Sequence, residues 1–343
     1  MVAEAADPGR MIPRVVALVF RQRGLITYQQ ALELSLSSDR VARLRRTGAW
    51  VRVRQGVYAD AEVWAGLDDS VGRPLLRVRA AHLVLEVPHV FSHDSAALVH
   101  GMSLLRPVGE LVHITRLDVR GDRTKAGIKP HGAAYSPDQV QVVDGLPCLD
   151  PARTAVDVTR EHGLSVGVGA CDHVLRAGGS RADLRAACAV MRCWPHVGIV
   201  REAVELADGG ADNAAESASR VLVTELGVGR PETQFGLTDG GRTVWCDLRV
   251  GRHIFEFDGR VKYTPRGEGG VADGDPRAAV WKQKQRQDFI CGFKLGVSRI
   301  TYVDLFAERR LARARLSREY ADTEARFGSA VDDLAPYIVR RHR

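Results

Sequence analysis

Two consecutive stretches, Thr243-Val244-Trp245-Cys246-Asp247-Leu248-Arg249-Val250 and His253-Ile254-Phe255-Glu256-Phe257-Asp258-Gly259, decide how the C-terminal third of the chain is read. Each has the composition and length of a strand, and Gly251-Arg252 between them makes a tight turn, so they form a hairpin. Side chains alternate along a strand. His253, Phe255 and Phe257 therefore take one face of the second strand, and Ile254, Glu256 and Asp258 take the other. Two acids interrupt an otherwise apolar strand, and Asp247 comes level with them across the hairpin. Upstream, residues 212–227 read as a helix with Ala218, Val221, Leu222 and Leu226 apolar. This helix carries Glu216 and is ended by Gly227. Glu232 to Leu237 reads as another strand. Downstream, residues 276–291 read as a helix opening at Pro276-Arg277, and Arg299-Ile300-Thr301-Tyr302 as a last strand. The order is helix, three strands, helix, strand.

Carboxylates packed together are unfavourable unless something neutralises them. A divalent cation does so. Mg²⁺, or Mn²⁺ in its place, is held by one or two carboxylates plus waters and phosphate oxygens. A metal-bound water then serves as nucleophile. Glu216, Asp247 and Glu256 are the expected metal ligands. A solvated acidic edge is the competing reading, and the apolar setting of Glu256 and Asp258 speaks against it. The ordered set Glu216, Pro231-Glu232-Thr233-Gln234, Asp247-Leu248, Phe255-Glu256-Phe257-Asp258-Gly259, Lys284-Gln285-Arg286-Gln287-Asp288, Gly292 and Arg299-Ile300-Thr301-Tyr302 resembles the PD-(D/E)XK nuclease superfamily. Within it, the likeness is to the small Vsr-like, DUF559-type endonuclease domains. The resemblance implies a restriction-endonuclease-like αβββαβ core that cleaves DNA phosphodiester bonds. One departure is that Asp258 stands where the superfamily's general pattern has lysine, although the small related domains commonly carry this acid. Lys262 and Lys284 are the candidate bases, because a buried lysine can shift its pKa whereas arginine stays protonated. Exposed lysines that bind phosphate are the alternative. The expected catalytic set is thus Asp247, Glu256, Asp258, Lys262 and Lys284.

At the other end, Met11 to Gln22 carries Ile12, Val15, Val16, Leu18 and Val19 at helical spacing and is stopped by Gly24. Thr27 is a candidate N-cap for a short helix through Leu34. Ser37-Ser38-Asp39 opens another helix through Arg46, with Val41 and Leu44 facing inward. Trp50 to Tyr58 reads as two strands around a turn at Gln55-Gly56. Small helices before a basic hairpin are the order of a winged helix-turn-helix. Its helix near Ser38 would enter the major groove, and its hairpin would touch the backbone. Arg40, Arg43, Arg45, Arg46, Arg52 and Arg54 stand against the single acid Asp39 over residues 39–54, dense enough for phosphate contacts. A solvated basic face is the blander reading.

The segments Arg23-Gly24-Leu25-Ile26-Thr27, Val41-Ala42-Arg43-Leu44 and Val53-Arg54-Gln55-Gly56-Val57-Tyr58 are similar to the N-terminal domain of AbiEi-type antitoxins, and the likeness continues through Ser92-His93-Asp94-Ser95-Ala96-Ala97, Val112-His113-Ile114-Thr115, Gly145-Leu146-Pro147 and Pro151-Ala152-Arg153-Thr154. It covers roughly residues 15–175. The resemblance implies the DNA-binding partner of a type IV toxin–antitoxin system, with a cognate toxin as a second partner. In that family the N-terminal module represses its own operon. His93, His100 and His113 invite a metal site, and Ser92-His93-Asp94 a catalytic group. Adjacent residues on one helical turn point in different directions, so Ser92 is read as a helix cap and His93 and His100 as packing or surface residues.

The chain has 343 residues, of which 45% are hydrophobic and 27% charged. That composition excludes wholesale disorder and fibrous classes, and the length asks for two or three domains. The apolar run Val15 to Phe20 is six residues, well short of the roughly 20 of a membrane span and below the roughly 7 or more of a signal-peptide core. A cytoplasmic protein with no membrane partner is expected. The net charge of +7 allows an anionic partner. Of the few lysines, Lys262, Lys282, Lys284 and Lys294 crowd together near the acids. The six cysteines have no metal-ligand spacing and are read as reduced thiols. Ala207 to Asn213 is a Gly/Asp/Asn-rich linker signal, and residues 264–276 read as a mobile loop.

The expected architecture is α/β and multidomain. A winged helix-turn-helix spans 11–60, a middle α/β domain 61–206 and a nuclease-like domain 212–327. Two functions stay open. The first is a Mg²⁺-dependent DNA endonuclease in phage defence or a toxin–antitoxin context. The second is an AbiEi-like antitoxin and repressor whose nuclease fold is catalytically inactive.

Overall fold

The computed structural model describes residues 12–105, 109–119, 121, 123–191, 193–259 and 276–340. Lys262 and residues 264–275 lie outside the described residues. The chain forms two compact units. The first ends at Asp157, and the second begins at Val158 and takes in Ser103–Leu105.

The first unit opens with helix α1 (Pro13–Arg21), strand β1 (Leu25–Thr27), helices α2 (Tyr28–Glu33) and α3 (Ser38–Arg46), and a hairpin of β2 (Trp50–Arg54) and β3 (Val57–Asp60). The sheet order is β1-β3-β2. This is the arrangement of a winged helix. Local chemistry sets its boundaries. Thr27 and Gln30 form a reciprocal capping box at the start of α2, and the Ser37 hydroxyl accepts from the Arg40 amide at the start of α3. Val15, Ile26, Ala31, Val41, Trp50 and Tyr58 close one small core.

The other side of the hairpin is no free surface. Leu25, Val57 and Ala59 pack on Leu76 and Ala80 of α5 (Gly72–His82), which comes after the short α4 (Ala61–Ala65). The winged helix therefore shares a core with α5. Strand β4 (Val90–Phe91), helix α6 (His93–Val99), β5 (Val112–Arg116), β6 (Ile128–Gly132), β7 (Val140–Val143) and β8 (Leu146–Leu149) build a mixed sheet of order β6-β5-β4-β8-β7. Helix α7 (Pro151–His162) comes next. In its first turns Arg153 is fully buried against Asp157, four residues on, and also donates to the Ala134 carbonyl.

The second unit contains α8 (Leu164–Arg176), α9 (Arg181–Ala189), α10 (Val197–Leu206) and α11 (Ala214–Thr224). Strands β9 (Glu232–Thr238), β10 (Thr243–Val250) and β11 (His253–Phe257) then run antiparallel. Helix α12 (Pro276–Gly292) leads to β12 (Gly296–Ile300), parallel to β11. Helices α13 (Tyr302–Leu305) and α14 (Arg309–Phe327) and a 3₁₀ turn (Asp332–Tyr337) precede β13 (Ile338–Val339), which pairs with β9. The sheet is covered on both faces. Ala218 and Leu222 of α11 with Leu316 and Tyr320 of α14 pack on Leu248, Phe255 and Ile300. On the other face, Ile290 of α12 and Leu334 of the 3₁₀ turn pack with Phe235, Leu237, Cys246 and Ile254.

Two boundaries differ from the sequence reading. The stretch 207–213 does not act as a linker. Ala207 and Ala211 are buried, Asp208 bonds backbone and side chains around it, and α8 and α10 pack with the sheet-covering α11 in one unit. Short Asp and Gly residues that suit a free loop serve equally well in a tight hydrogen-bonded connection. The second unit also runs past 327, because β13 extends the sheet edge. No helix among the described residues is long and apolar enough to cross a membrane.

The connection rests on one buried ion pair. Asp172 of α8 is fully buried, accepts from Arg220 of α11 at 2.6 Å, and accepts from the Asp208 amide at 2.6 Å. Burial alone pushes this carboxyl up, and Arg220 opposes the shift. Removing one partner of a buried pair strands the other charge, typically at a cost of about 3–5 kcal/mol. Asp172→Ala should therefore lower the unfolding free energy by about that amount, read as a lower urea midpoint. An unchanged midpoint would mean that the pair does not hold the unit together.

Candidate functional site

Two surfaces were expected from sequence, and the structure assembles both in part. On α3, Arg43, Arg45 and Arg46 are exposed, as is Arg52 on β2, while Arg40 is half-buried. Arg45 lies over the Tyr58 ring, 5.6 Å from its centroid, which holds its guanidinium beside the wing. Arg54 departs from the expectation. It is half-buried and donates to the Ala126 carbonyl at 3.4 Å, and burial lowers its pKa. The strand irregularity between Arg52 and Arg54 separates their directions.

In the second unit, Glu216, Asp247, Glu256 and Asp258 line one cavity of about 260 Å³, with Asp212, Gln234, Gln283, Arg286 and Arg299. The backbone explains the convergence. Continuing the register Leu248↔Phe255 by one step sets Asp247 opposite Glu256, and the β9 register sets it opposite Gln234. Gln234 has a φ of +52°, a left-handed conformation uncommon for a side-chain-bearing residue. Strict alternation would put Cys246 and Leu248 on one side, yet they belong to cores on opposite faces of the sheet. The strand rolls over at Asp247, and this turns the acid into the cavity.

Each carboxylate is held differently. Asn213 caps α11 by accepting from the amides of Ala215 and Glu216. The Glu216 carboxylate in turn accepts from Asn213 Nδ2 at 2.6 Å, the Asp212 amide at 2.8 Å and Gln234 Nε2 at 3.1 Å. Burial nevertheless pushes Glu216 up to about 6, and the Asp247 charge adds to the shift. Asp247 Oδ2 accepts from the Phe257 amide at 2.8 Å, which ties the two strands where the ladder opens. Glu256, only 5% exposed, is paired with Arg286 and lies 3.9 Å from Arg299, which also reaches Asp258 at 3.6 Å. Burial works against the Arg286 charge, but the Glu256 carboxylate outweighs it, so the guanidinium pKa is raised.

The donor set is all oxygen, which suits a hard dication such as Mg²⁺. Five acids face two guanidinium groups, an excess of negative charge that a cation would relieve. The three acidic ligands do not close into a tight group, however. Among the described residues, the group of three with ligand atoms all within 4.8 Å of one another is His93, His113 and His131. Mg²⁺ retains several waters and needs only one or two carboxylates, and Asp247 and Glu256 are the cavity acids that could supply them.

Lys284 is not in the site. It is exposed, with its ammonium 5.9 Å from the Trp281 ring centroid. Gln283 and Arg286, three apart on α12, take the cavity-facing side, and Lys284 points elsewhere around the helix. Lys262 lies outside the described residues. Sequence reasoning missed Arg286, whose helical spacing to Gln283 was the available signal, and His131, whose proline-containing segment does not read as a strand. Ser92 makes no side-chain cap bond and meets His93 Nδ1 at 3.0 Å instead. His100 does pack inward, bonding the Leu149 carbonyl.

Known proteins resemble parts of this chain. Residues 14–59 match the family described as "Transcriptional regulator, AbiEi antitoxin". The uncharacterized proteins MT2308 and Rv2248, from the CDC 1551 / Oshkosh and H37Rv strains of Mycobacterium tuberculosis, are each 28% identical to this chain over 201 residues, covering 58% of it and 69% of their own length. A crystal structure of the Rv2827c protein from Mycobacterium tuberculosis aligns with a TM-score of 0.36 and 19% identity, over 64% of this chain and 84% of that one.

The raised pKa of Glu216 has a signed consequence. A carboxyl whose folded pKa exceeds its unfolded value favours folding while protonated, and that contribution is lost as pH rises through about 6. The wild type should therefore lose stability relative to Glu216→Gln as pH rises from about 4.5 to about 7, as measured by urea unfolding at each pH. Parallel curves for the two proteins would show that Glu216 ionises freely.

Proposed function

We propose that the chain is a DNA-binding transcriptional regulator of the AbiEi antitoxin type, with α3 as the element that enters the major groove. The observation that carries this reading is α3 itself. It lies within the 14–59 match and presents Arg43, Arg45 and Arg46 to solvent beside an arginine-bearing wing. Helices of such domains read base edges while arginines on helix and wing anchor the phosphates. The antitoxin reading adds a cognate toxin as partner, and a nucleotidyltransferase encoded next to this chain would fit it.

A second reading, metal-dependent cleavage of DNA by the second unit, is favoured by the acidic cavity. Bound Mg²⁺ or Mn²⁺ would supply a water of lowered pKa and stabilise charge on the phosphate. Asp247 and Glu256 would hold the ion, with Glu216 behind them. Arg286 and Arg299 line the same cavity and would offer guanidinium groups to phosphate oxygens. The described cavity residues include no lysine to take the water's proton, and arginine stays protonated. That is why the regulator reading comes first.

Binding of DNA from upstream of the chain's own gene, monitored by fluorescence anisotropy across a salt series, tests the first reading. Arg43→Ala with Arg46→Ala should weaken binding and flatten the slope of log K against log salt by roughly 0.9 for each phosphate left unneutralised. Affinity and slope unchanged in the double variant would remove α3 from the interface. For the second reading, a plasmid-nicking assay with Mg²⁺ or Mn²⁺ should show cleavage that Asp247→Ala and Glu256→Ala abolish while DNA binding survives. An inert wild type over a broad panel of substrates and metals would leave the regulator alone.

A further inference from the structure

The first unit contains a histidine cluster that the DNA-binding function does not use. Strands β5 and β6 are parallel neighbours, with His113↔Lys129 and Thr115↔His131 in register. Alternation puts His113 and Thr115 on one face of β5, and their register partners put His131 on the same face. The start of α6 then brings in His93. The Ser95 hydroxyl of α6 accepts from the His113 amide at 2.8 Å, which fixes helix against strand. His113 Nδ1 and His131 Nε2 lie 3.1 Å apart, and the His93 and His131 rings stack with centroids 3.7 Å apart. One ring nitrogen from each of the three falls within 4.8 Å of the other two.

From this geometry we propose that His93, His113 and His131 form a binding site for a transition-metal dication of the zinc class. Two nitrogens bound about 2.0–2.1 Å from a tetrahedral ion lie roughly 3.3–3.4 Å apart. The His113–His131 pair is already near that separation, and a ligand nitrogen of His93 lies within 4.8 Å of both. Imidazole nitrogens suit Zn²⁺, Co²⁺ and their neighbours, not Mg²⁺. Ser92 Oγ engages His93 Nδ1 at 3.0 Å, an outer-shell contact of the kind that orients a metal-binding histidine.

Two independent features point to a ligand here. The Thr115 hydroxyl, fully buried on the same face as His113 and His131, has no hydrogen-bond partner among the described residues. His93 has a φ of +49°, a left-handed conformation of the kind that clusters at ligand-holding positions. Lys129 shares the face but is half-buried, so its long stem can carry the ammonium to water. An ion bound here would staple α6 to the β5–β6 edge of the sheet.

The test is titration of the full-length, chelator-treated protein with Co²⁺, then displacement with Zn²⁺. The expected result is saturable one-to-one binding with a visible d–d absorption band, no sulfur-to-metal charge-transfer band, and loss of the band on adding Zn²⁺. His131→Ala should abolish the band. Ser92→Ala, which keeps every ligand and does not disturb a helix cap, should weaken affinity roughly 10–100-fold. Asp247→Ala with Glu256→Ala should leave the band intact, which separates this site from the acidic cavity of the second unit. Absence of saturable binding in the wild type, or a band that survives His131→Ala unchanged, would overturn the proposal, as would a band lost only with the acidic variants.

Discussion

A buried carboxylate must find a cation or surrender its charge, and the second unit is organised around one that finds a guanidinium. Asp172 on α8 accepts from Arg220 on α11 and from the amide of Asp208. Asp208 in turn bonds the Thr233 hydroxyl on β9 and the Gly210 amide. At Gly210 a side chain would collide with that same hydroxyl. The pair thus fixes the entry of α11 against the first strand of the sheet. Glu216 sits one helical turn before Arg220, so its position in the cavity derives from this anchor.

The cavity repeats the same constraint with a different outcome. Five acids share it with two arginines, and the compensation is uneven. Glu256 is neutralised by Arg286, whereas Glu216 is pushed toward its protonated form by burial and by Asp247. The roll of β10 at Asp247 and the left-handed Gln234 beside it aim the acids inward. Distortions of this kind at one end of a strand pair are a common way to re-aim a side chain.

In the first unit the constraint is packing. The wing's inner face is shared with α5, so the winged helix has no separate core on that side. That shared packing leaves Arg43, Arg45, Arg46 and Arg52 outward, while Arg54 bends toward Ala126. The buried Arg153–Asp157 pair ties the start of α7 to Ala134, shortly after the histidine-bearing β6.

The sequence alone determined the features that depend on neighbours along the chain. The caps at Thr27 and Ser37, the inward Val41, the turn at Gly56, and the hairpin that brings Asp247 opposite Glu256 are all local consequences of residue type and period, and they were legible. So was the order of elements from α11 to β12. The outcomes set by distant partners required the tertiary structure. Residues 207–213 look like a linker because Asp, Asn and Gly suit loops, but Asp172 and Thr233, 36 and 25 residues from Asp208, turn the stretch into a buried joint. Lys284 shares a helix with Gln283 and Arg286, and only the docking of α12 decides which of them face the cavity. The histidine cluster draws on a helix start and two strands, with no sequence spacing to announce it. Local periodicity therefore assigned faces and elements, and long-range packing decided which charges and imidazoles meet.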